Sequence, residues 1–267
     1  MKCTKLAEGL EKLAPLSYAC SWDNPGLLAG RGEKEIKKIL IALDATDEAV
    51  DLAEKEGCDL LLTHHPLIFG SIKRVSDQDM VGRRLVKLIK ADINCYCMHT
   101  NFDIAPGCMA DLAGDMLGLT NRVPLERTGI DETTGRPCGI GVCGDLEREM
   151  DLKELALTVK ERFGLPFINV YGAGQCTGKV SRVGICPGSG RGMAGHALAL
   201  GARVLVTGDI GHHEGIDAAA ENLAVIDAGH YGLEHVFTDF MERYIREHID
   251  GELIIRQAPV SYPVTAW

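Results

Sequence analysis

Short apolar-rich runs alternate along this chain with segments whose apolar positions recur every three to four residues. That alternation predicts strands separated by helices. Ile36 to Leu43 reads as a buried strand ending at Asp44, and a helix over Asp47 to Lys55 is stopped by Gly57. Asp59 to Leu62 opens a second strand whose tip is Thr63-His64-His65-Pro66. Met80 to Ala91 places Val81, Leu85, Leu88 and Ile89 on one helical face. Ile93 to Met98 is a third strand, ending at His99-Thr100-Asn101-Phe102-Asp103, and Met109 to Leu117 is helical. Further on, strands are predicted at Cys138–Cys143, Phe167–Val170, Val183–Cys186, Val204–Val206, Leu223–Ile226 and Leu253–Arg256. Helices are predicted at Leu152–Phe163 and from about Leu233 to Glu247. The pattern predicts an α/β fold built as two interlinked α/β domains with mostly parallel sheets. One domain takes residues 1–126 with 229–267 and the other 127–228; the polar, turn-rich stretch Thr128 to Arg136 is the expected crossing.

The residues able to carry chemistry cluster just after the predicted strands. His64, His65, His99, Asp103, Asp209 and His230 all sit there, and in open α/β sheets ligands bind beyond the carboxyl ends of the strands. Neighbouring His64 and His65 can splay apart at a strand end so that each reaches a different ion, or can form a satisfied polar turn. His230 and Glu234 are four apart, one turn of helix, which puts both on one face. Asp103 precedes Ala105-Pro106-Gly107, so by itself it reads first as a turn residue and only second as a ligand. Imidazoles mixed with carboxylates suit Zn, Mn, Fe or Co. Two such ions about 3.5–4 Å apart can share a water and clamp a transition state. His99 is the candidate for catalytic proton transfer, and Asp209 and His213 are candidates for facing substrate or steadying a ligand.

Rival motifs carry less. Cys95, Cys97 and His99 share one side of a strand, a thiolate-site spacing that buried core cysteines also produce. Gly172 to Lys179 lacks the Lys-Ser/Thr ending of a phosphate loop, since Val180 follows Lys179. Gly188-Ser189-Gly190-Arg191-Gly192 is either an anion-binding turn or a tight βα connection. His212-His213-Glu214 begins like a metalloprotease helix, but Asp217 stands where its second His belongs.

Composition narrows the function classes. With 28 basic against 38 acidic residues the net charge is −10, which argues against a nucleic-acid partner. Ten cysteines at irregular spacing do not form a disulfide framework, and no stretch reads as a signal peptide or membrane span, so a cytoplasmic location is expected.

Taken together, Trp22-Asp23-Asn24-Pro25-Gly26-Leu27-Leu28, Leu62-Thr63-His64-His65-Pro66, His99 through Gly107, Thr207-Gly208-Asp209, and Asp227-Ala228-Gly229-His230-Tyr231 with Glu234 resemble the NGG-interacting-factor-three-like proteins. Members of that family are dinuclear metal-centre proteins, often called GTP cyclohydrolase I type 2 homologues. The matches run in order along nearly the whole chain. The resemblance implies that His64, His65, Asp103, His230 and Glu234 bind two divalent metal ions, and that the protein is a toroidal homohexamer. Pro25 and Cys108 depart from the family's usual residues, and the chain resembles the short form, which lacks the domain inserted in longer relatives. The expected function is hydrolysis of a small-molecule substrate by a metal-activated water, with the site at the carboxyl ends of strands between the two domains. The alternative is a non-catalytic metal-binding scaffold or regulatory partner.

Overall fold

A computed structural model describes residues 1–267. In chain order the helices are α1 (Cys3–Leu13), α2 (Asp47–Lys55), α3 (Met80–Lys90), α4 (Thr100–Ile104), α5 (Met109–Met116), α6 (Leu152–Arg162), α7 (Met193–Ala199), α8 (His212–Ala220), α9 (His230–Glu234) and α10 (Val236–Tyr244). The strands are β1 (Gly26–Ala29), β2 (Lys38–Ala42), β3 (Leu60–Thr63), β4 (Asn94–Cys97), β5 (Thr120–Ile130), β6 (Pro137–Met150), β7 (Asn169–Tyr171), β8 (Val180–Ser189), β9 (Val204–Gly208), β10 (Ala224–Asp227) and β11 (Ile254–Gln257). The chain divides into two compact units, residues 1–102 with 236–261, and residues 103–235 with 262–267. One crossing therefore falls inside α4, between Phe102 and Asp103, and another between His235 and Val236.

The first unit is built on a five-stranded sheet in the order β1-β4-β3-β2-β11. Its four inner pairings are parallel except at β1, which runs antiparallel to β4. Every residue of β3 and β4 is buried, as expected for parallel strands covered on both faces. Leu40, Leu61 and Cys95 pack against Val50 and Ala53 of α2 and Leu85 and Leu88 of α3. Thr46 caps α2 by accepting from Ala49 N, and Asp79 caps α3 by accepting from Gly82 N.

The second unit holds a six-stranded mixed sheet in the order β5-β6-β8-β9-β10-β7. β8, β9 and β10 are parallel, while β5 with β6, β6 with β8, and β10 with β7 pair antiparallel. Leu125, Cys143, Leu205, Val225, Ala197 and Ala218 form its core. The α/β class follows the sequence pattern. The long β5–β6 hairpin was not expected: Thr128 to Arg136 is its end, closed by Asp131 accepting from Thr134 N and Oγ1. The predicted helix from Leu233 to Glu247 is divided into α9 and α10, with a wider turn over Ile245–Ile249. No helix is long and apolar enough to cross a membrane.

Candidate metal centre

In the first unit the parallel ladder ends at Thr63, and the chain then turns so that His64 N and His65 N both donate to Leu43 O, at 3.2 and 2.9 Å. His64 is fully buried, and its Nδ1 lies 2.7 Å from the carbonyl of Met98. A carbonyl only accepts, so Nδ1 carries the hydrogen and Nε2 holds the lone pair. His65 Nδ1 lies 2.8 Å from Asp44 Oδ1, and His99 Nδ1 lies 2.8 Å from Asp23 Oδ1. The His64, His65 and His99 rings sit 4.9–5.5 Å apart, centroid to centroid. One nitrogen from each lies within 4.8 Å of the others, a group that could hold a metal ion.

Asp23 shows how firmly His99 is placed. Its side chain is inaccessible to solvent, which alone would raise its pKa. Hydrogen bonds from His99 and Thr100 outweigh burial and hold the carboxyl at about 2. Thr100 contributes both its N, at 3.0 Å, and its hydroxyl, at 2.5 Å. Asp23 therefore remains an anionic acceptor that fixes the hydrogen of His99 on Nδ1.

In the second unit Asp103 lies in α4 and His230 and Glu234 lie at the two ends of α9. Carboxylate oxygens of Asp103 and Glu234 come within 4.8 Å of one another, and Glu234 is buried. His230 Nε2 lies 3.2 Å from Glu234 Oε2, and its Nδ1 lies 2.9 Å from Asp209 Oδ2. Asp209 adopts a left-handed backbone (φ 52°), which Asp tolerates better than most residues. Two glycines make room. A Cβ on Gly188 (φ +75°) would meet Glu234 Oε1 at 2.5 Å, and one on Gly208 would meet His230 N at 2.4 Å. Burial pushes the Cys186 thiol up, and the nearby carboxylates of Asp103 and Glu234 push it further.

These residues fit a metal. Two carboxylates at this spacing repel by about 3.5 kcal/mol or more at an effective dielectric of 20, a cost that a cation between them removes. All four imidazoles commit Nδ1 to a carbonyl or carboxylate, the arrangement that orients Nε2 as a ligand. Nitrogen and oxygen donors without thiolate suit Zn, Mn, Fe or Co.

The rival readings separate cleanly. Cys95 packs into the apolar core, and burial pushes its thiol up to about 12. The Cys97 thiol donates to His64 O at 2.8 Å, so neither cysteine joins the His99 group. Gly192 N donates to Glu214 Oε1 at 3.3 Å, so a carboxylate already occupies the glycine-rich turn. His213 is exposed at the start of α8, edge-on to His212 with ring centroids 5.3 Å apart. Sequence reasoning did not assign Asp23 or Asp44. Asp44 follows β2 and obeys the same strand-end rule as the other candidates. Asp23 precedes β1 and carries no periodic signal.

Residues 1–260 match the family Duf34/NIF3 (NGG1p interacting factor 3). The chain is 32% identical over 253 residues to the GTP cyclohydrolase 1 type 2 homolog of Clostridium perfringens, covering 95% of this chain and 94% of that one. It is 33% identical over 264 residues to the protein of the same name in Lactococcus lactis, covering 98% of each. A Bacillus cereus protein related to NIF3 has the same fold, with a TM-score of 0.91 at 23% identity over 100% of this chain and 99% of that one. A Staphylococcus aureus hypothetical protein gives 0.87 at 28% identity, covering 100% and 99%.

Proposed function

The chain belongs to the Duf34/NIF3 family, and we propose that it holds two divalent metal ions and acts with them as a hydrolase. The ligands in this reading are His64, His65, Asp103, His230 and Glu234, and the metals are drawn from Zn, Fe, Mn and Co. The observation that carries the reading is the shared anchoring of the rings: each Nδ1 is held by an acceptor, which orients the ring and makes Nε2 the atom that would bind a metal.

Bound divalent ions would polarise the substrate and make water nucleophilic near neutral pH. The remaining work belongs to side chains. Asp103 and Glu234 offset the positive charge that imidazoles alone would leave. Asp44 and Asp209 hold His65 and His230 in one tautomer. His99, with Nδ1–H fixed by Asp23, has Nε2 available to take a proton from water and return it to a leaving group. The name carried by the relatives makes GTP the first substrate to test. A homohexamer in the cytoplasm belongs to the same reading.

The test is metal content per chain by elemental analysis, in the wild type and in Asp103→Ala and Glu234→Ala. The expected result is about two ions in the wild type and a loss in both variants. Stoichiometric metal surviving both substitutions sinks the ligand assignment. Metal without turnover of GTP, phosphoesters or amides replaces the hydrolase with a metal-binding scaffold.

A further inference from the structure

His99 does not stand alone at the surface of the first unit. Trp22 and Phe69 form a triangle with it, with ring centroids 5.7 Å apart between Trp22 and Phe69, 6.0 Å from Trp22 to His99 and 6.2 Å from Phe69 to His99. Trp22 is 57% exposed and Phe69 58%. Phe69 stands out among the six Phe, of which Phe102, Phe163 and Phe237 are fully buried. Two large rings left facing water, side by side and against an anchored histidine, keep an apolar surface available for something to cover.

The pair is also held in position. Asp23, next to Trp22, is tied to both His99 and Thr100. Asn24 Nδ2 donates to Ile68 O at 2.8 Å, fastening the Trp22 segment to the Phe69 segment. Phe69 lies in residues 64–79, which contain no helix or strand. Irregular connections longer than about 12–15 residues in a compact domain are uncommon, and are usually either functional loops or linkers. This one begins at His64 and His65.

We propose that Trp22 and Phe69 form a stacking wall that binds a planar heteroaromatic ring of the substrate beside His99. The two rings are too close, and tilted by 38°, for a third to slide between them, so the ligand ring lies on their exposed faces. Aromatic faces favour another π system over a saturated ring of equal size. A heteroatom on the ligand's edge then meets His99, whose other nitrogen is already taken by Asp23. The inference rests on the metal-site reading only in calling the ring part of a substrate.

The test uses full-length protein carrying Trp267→Phe, so that Trp22 is the sole indole emitter. Adenine is the planar probe and cyclohexanol the saturated control, each titrated with and without bound metal. Adenine should quench Trp22 emission saturably and cyclohexanol should not. Phe69→Ala should weaken adenine binding by about tenfold or more, the size expected for losing a stacking aromatic. Phe69→Tyr should retain it. Trp22→Ala, read by equilibrium dialysis, should lose binding as Phe69→Ala does. Non-saturable quenching, or equal adenine binding in Phe69→Ala and its parent, overturns the proposal. So does a change of oligomeric state in Phe69→Ala by light scattering, which would assign the wall to contact with a second copy. Metal content separates the two readings: saturable adenine binding by a protein that takes up no metal when metal is supplied sinks the dinuclear centre alone, and normal metal content without adenine binding sinks the wall alone.

Discussion

The two units supply their candidate ligands in different ways. In the first, His64, His65 and His99 follow directly on β3 and β4, strands buried along their whole length in a parallel sheet. Their donors are imidazoles, which cost little to keep together without a metal. In the second, Asp103, His230 and Glu234 ride on two helices of five residues each, and Gly188 and Gly208 leave room for Glu234 and His230. Their donors are mainly carboxylates, which repel until a cation joins them. The first half is placed by a hydrophobic core, and the second by close backbone packing with charge to be neutralised.

The contrast can be broken most forcefully at Leu61, which lies in β3 at the heart of the first core. Leu61→Ala should cost about 2–5 kcal/mol, the range for a buried leucine whose cavity collapses only partly. Hydrogen exchange of the β3 and β4 amides is the appropriate readout, because two units need not unfold as one. A cost below about 1 kcal/mol would mean that the sheet core is not what positions the three rings.

The second half should be more sensitive to added volume. A Cβ on Gly208 would lie 2.4–2.6 Å from backbone atoms of Gly229 and His230, which cannot swing aside as a side-chain tip can. Gly208→Ala should cost about 1–3 kcal/mol through overpacking and displace α9. Retention of metal should fall more than in Leu61→Ala, although the loss of stability is smaller. Unchanged metal affinity in Gly208→Ala would remove the argument that tight backbone packing sets this half.

The same contrast explains what could be read from sequence. Parallel strands buried on both faces produce dense apolar runs, so β2, β3 and β4 were legible, and α2 was expected over the residues it occupies. β5 was missed because Pro124 and Gly129 interrupt its alternation and most of it is exposed. Those are the marks of an edge strand, and β5 does lie at the edge of its sheet. At the site, position after a strand and i,i+4 spacing pointed to individual candidate ligands, while the resemblance chose among alternatives that spacing left open. The partners on Nδ1 were harder to see. Asp23 reaches His99 across 76 residues and Asp44 reaches His65 across 21, and neither separation leaves a local pattern.

Those partners provide a finer comparison between the halves. Asp44→Asn and Asp209→Asn each replace a carboxylate behind a candidate ligand ring with a nearly isosteric amide. Each should weaken metal binding by about 10–100-fold, as loss of an outer partner of a ligating histidine does. Competition with a chromophoric chelator measures this directly. The two effects should be similar, because both rings use the same Nδ1 contact, at 2.8 and 2.9 Å. If only Asp209→Asn weakens binding, the first half does not depend on carboxylate anchoring and His65 is held by its backbone alone.

The smallest expected effect concerns the helix caps. Thr46 Oγ1 accepts from Ala49 N at 3.1 Å at the start of α2, and Asp151 Oδ1 accepts from Glu154 N at 2.9 Å at the start of α6. Either residue changed to alanine should lower stability by about 1 kcal/mol, the usual cost of losing a side-chain cap. Their consequences for metal should differ. Thr46 is two residues from Asp44, which steadies His65, so fraying the start of α2 loosens that carboxylate. Asp151 begins a helix from which no candidate ligand comes. Thr46→Ala should therefore weaken metal binding slightly, by less than Asp44→Asn, while Asp151→Ala leaves it unchanged at the same loss of stability. Equal metal affinity in the two cap variants would show that the His65–Asp44 contact is fixed by the end of β2 alone, independent of the helix that follows.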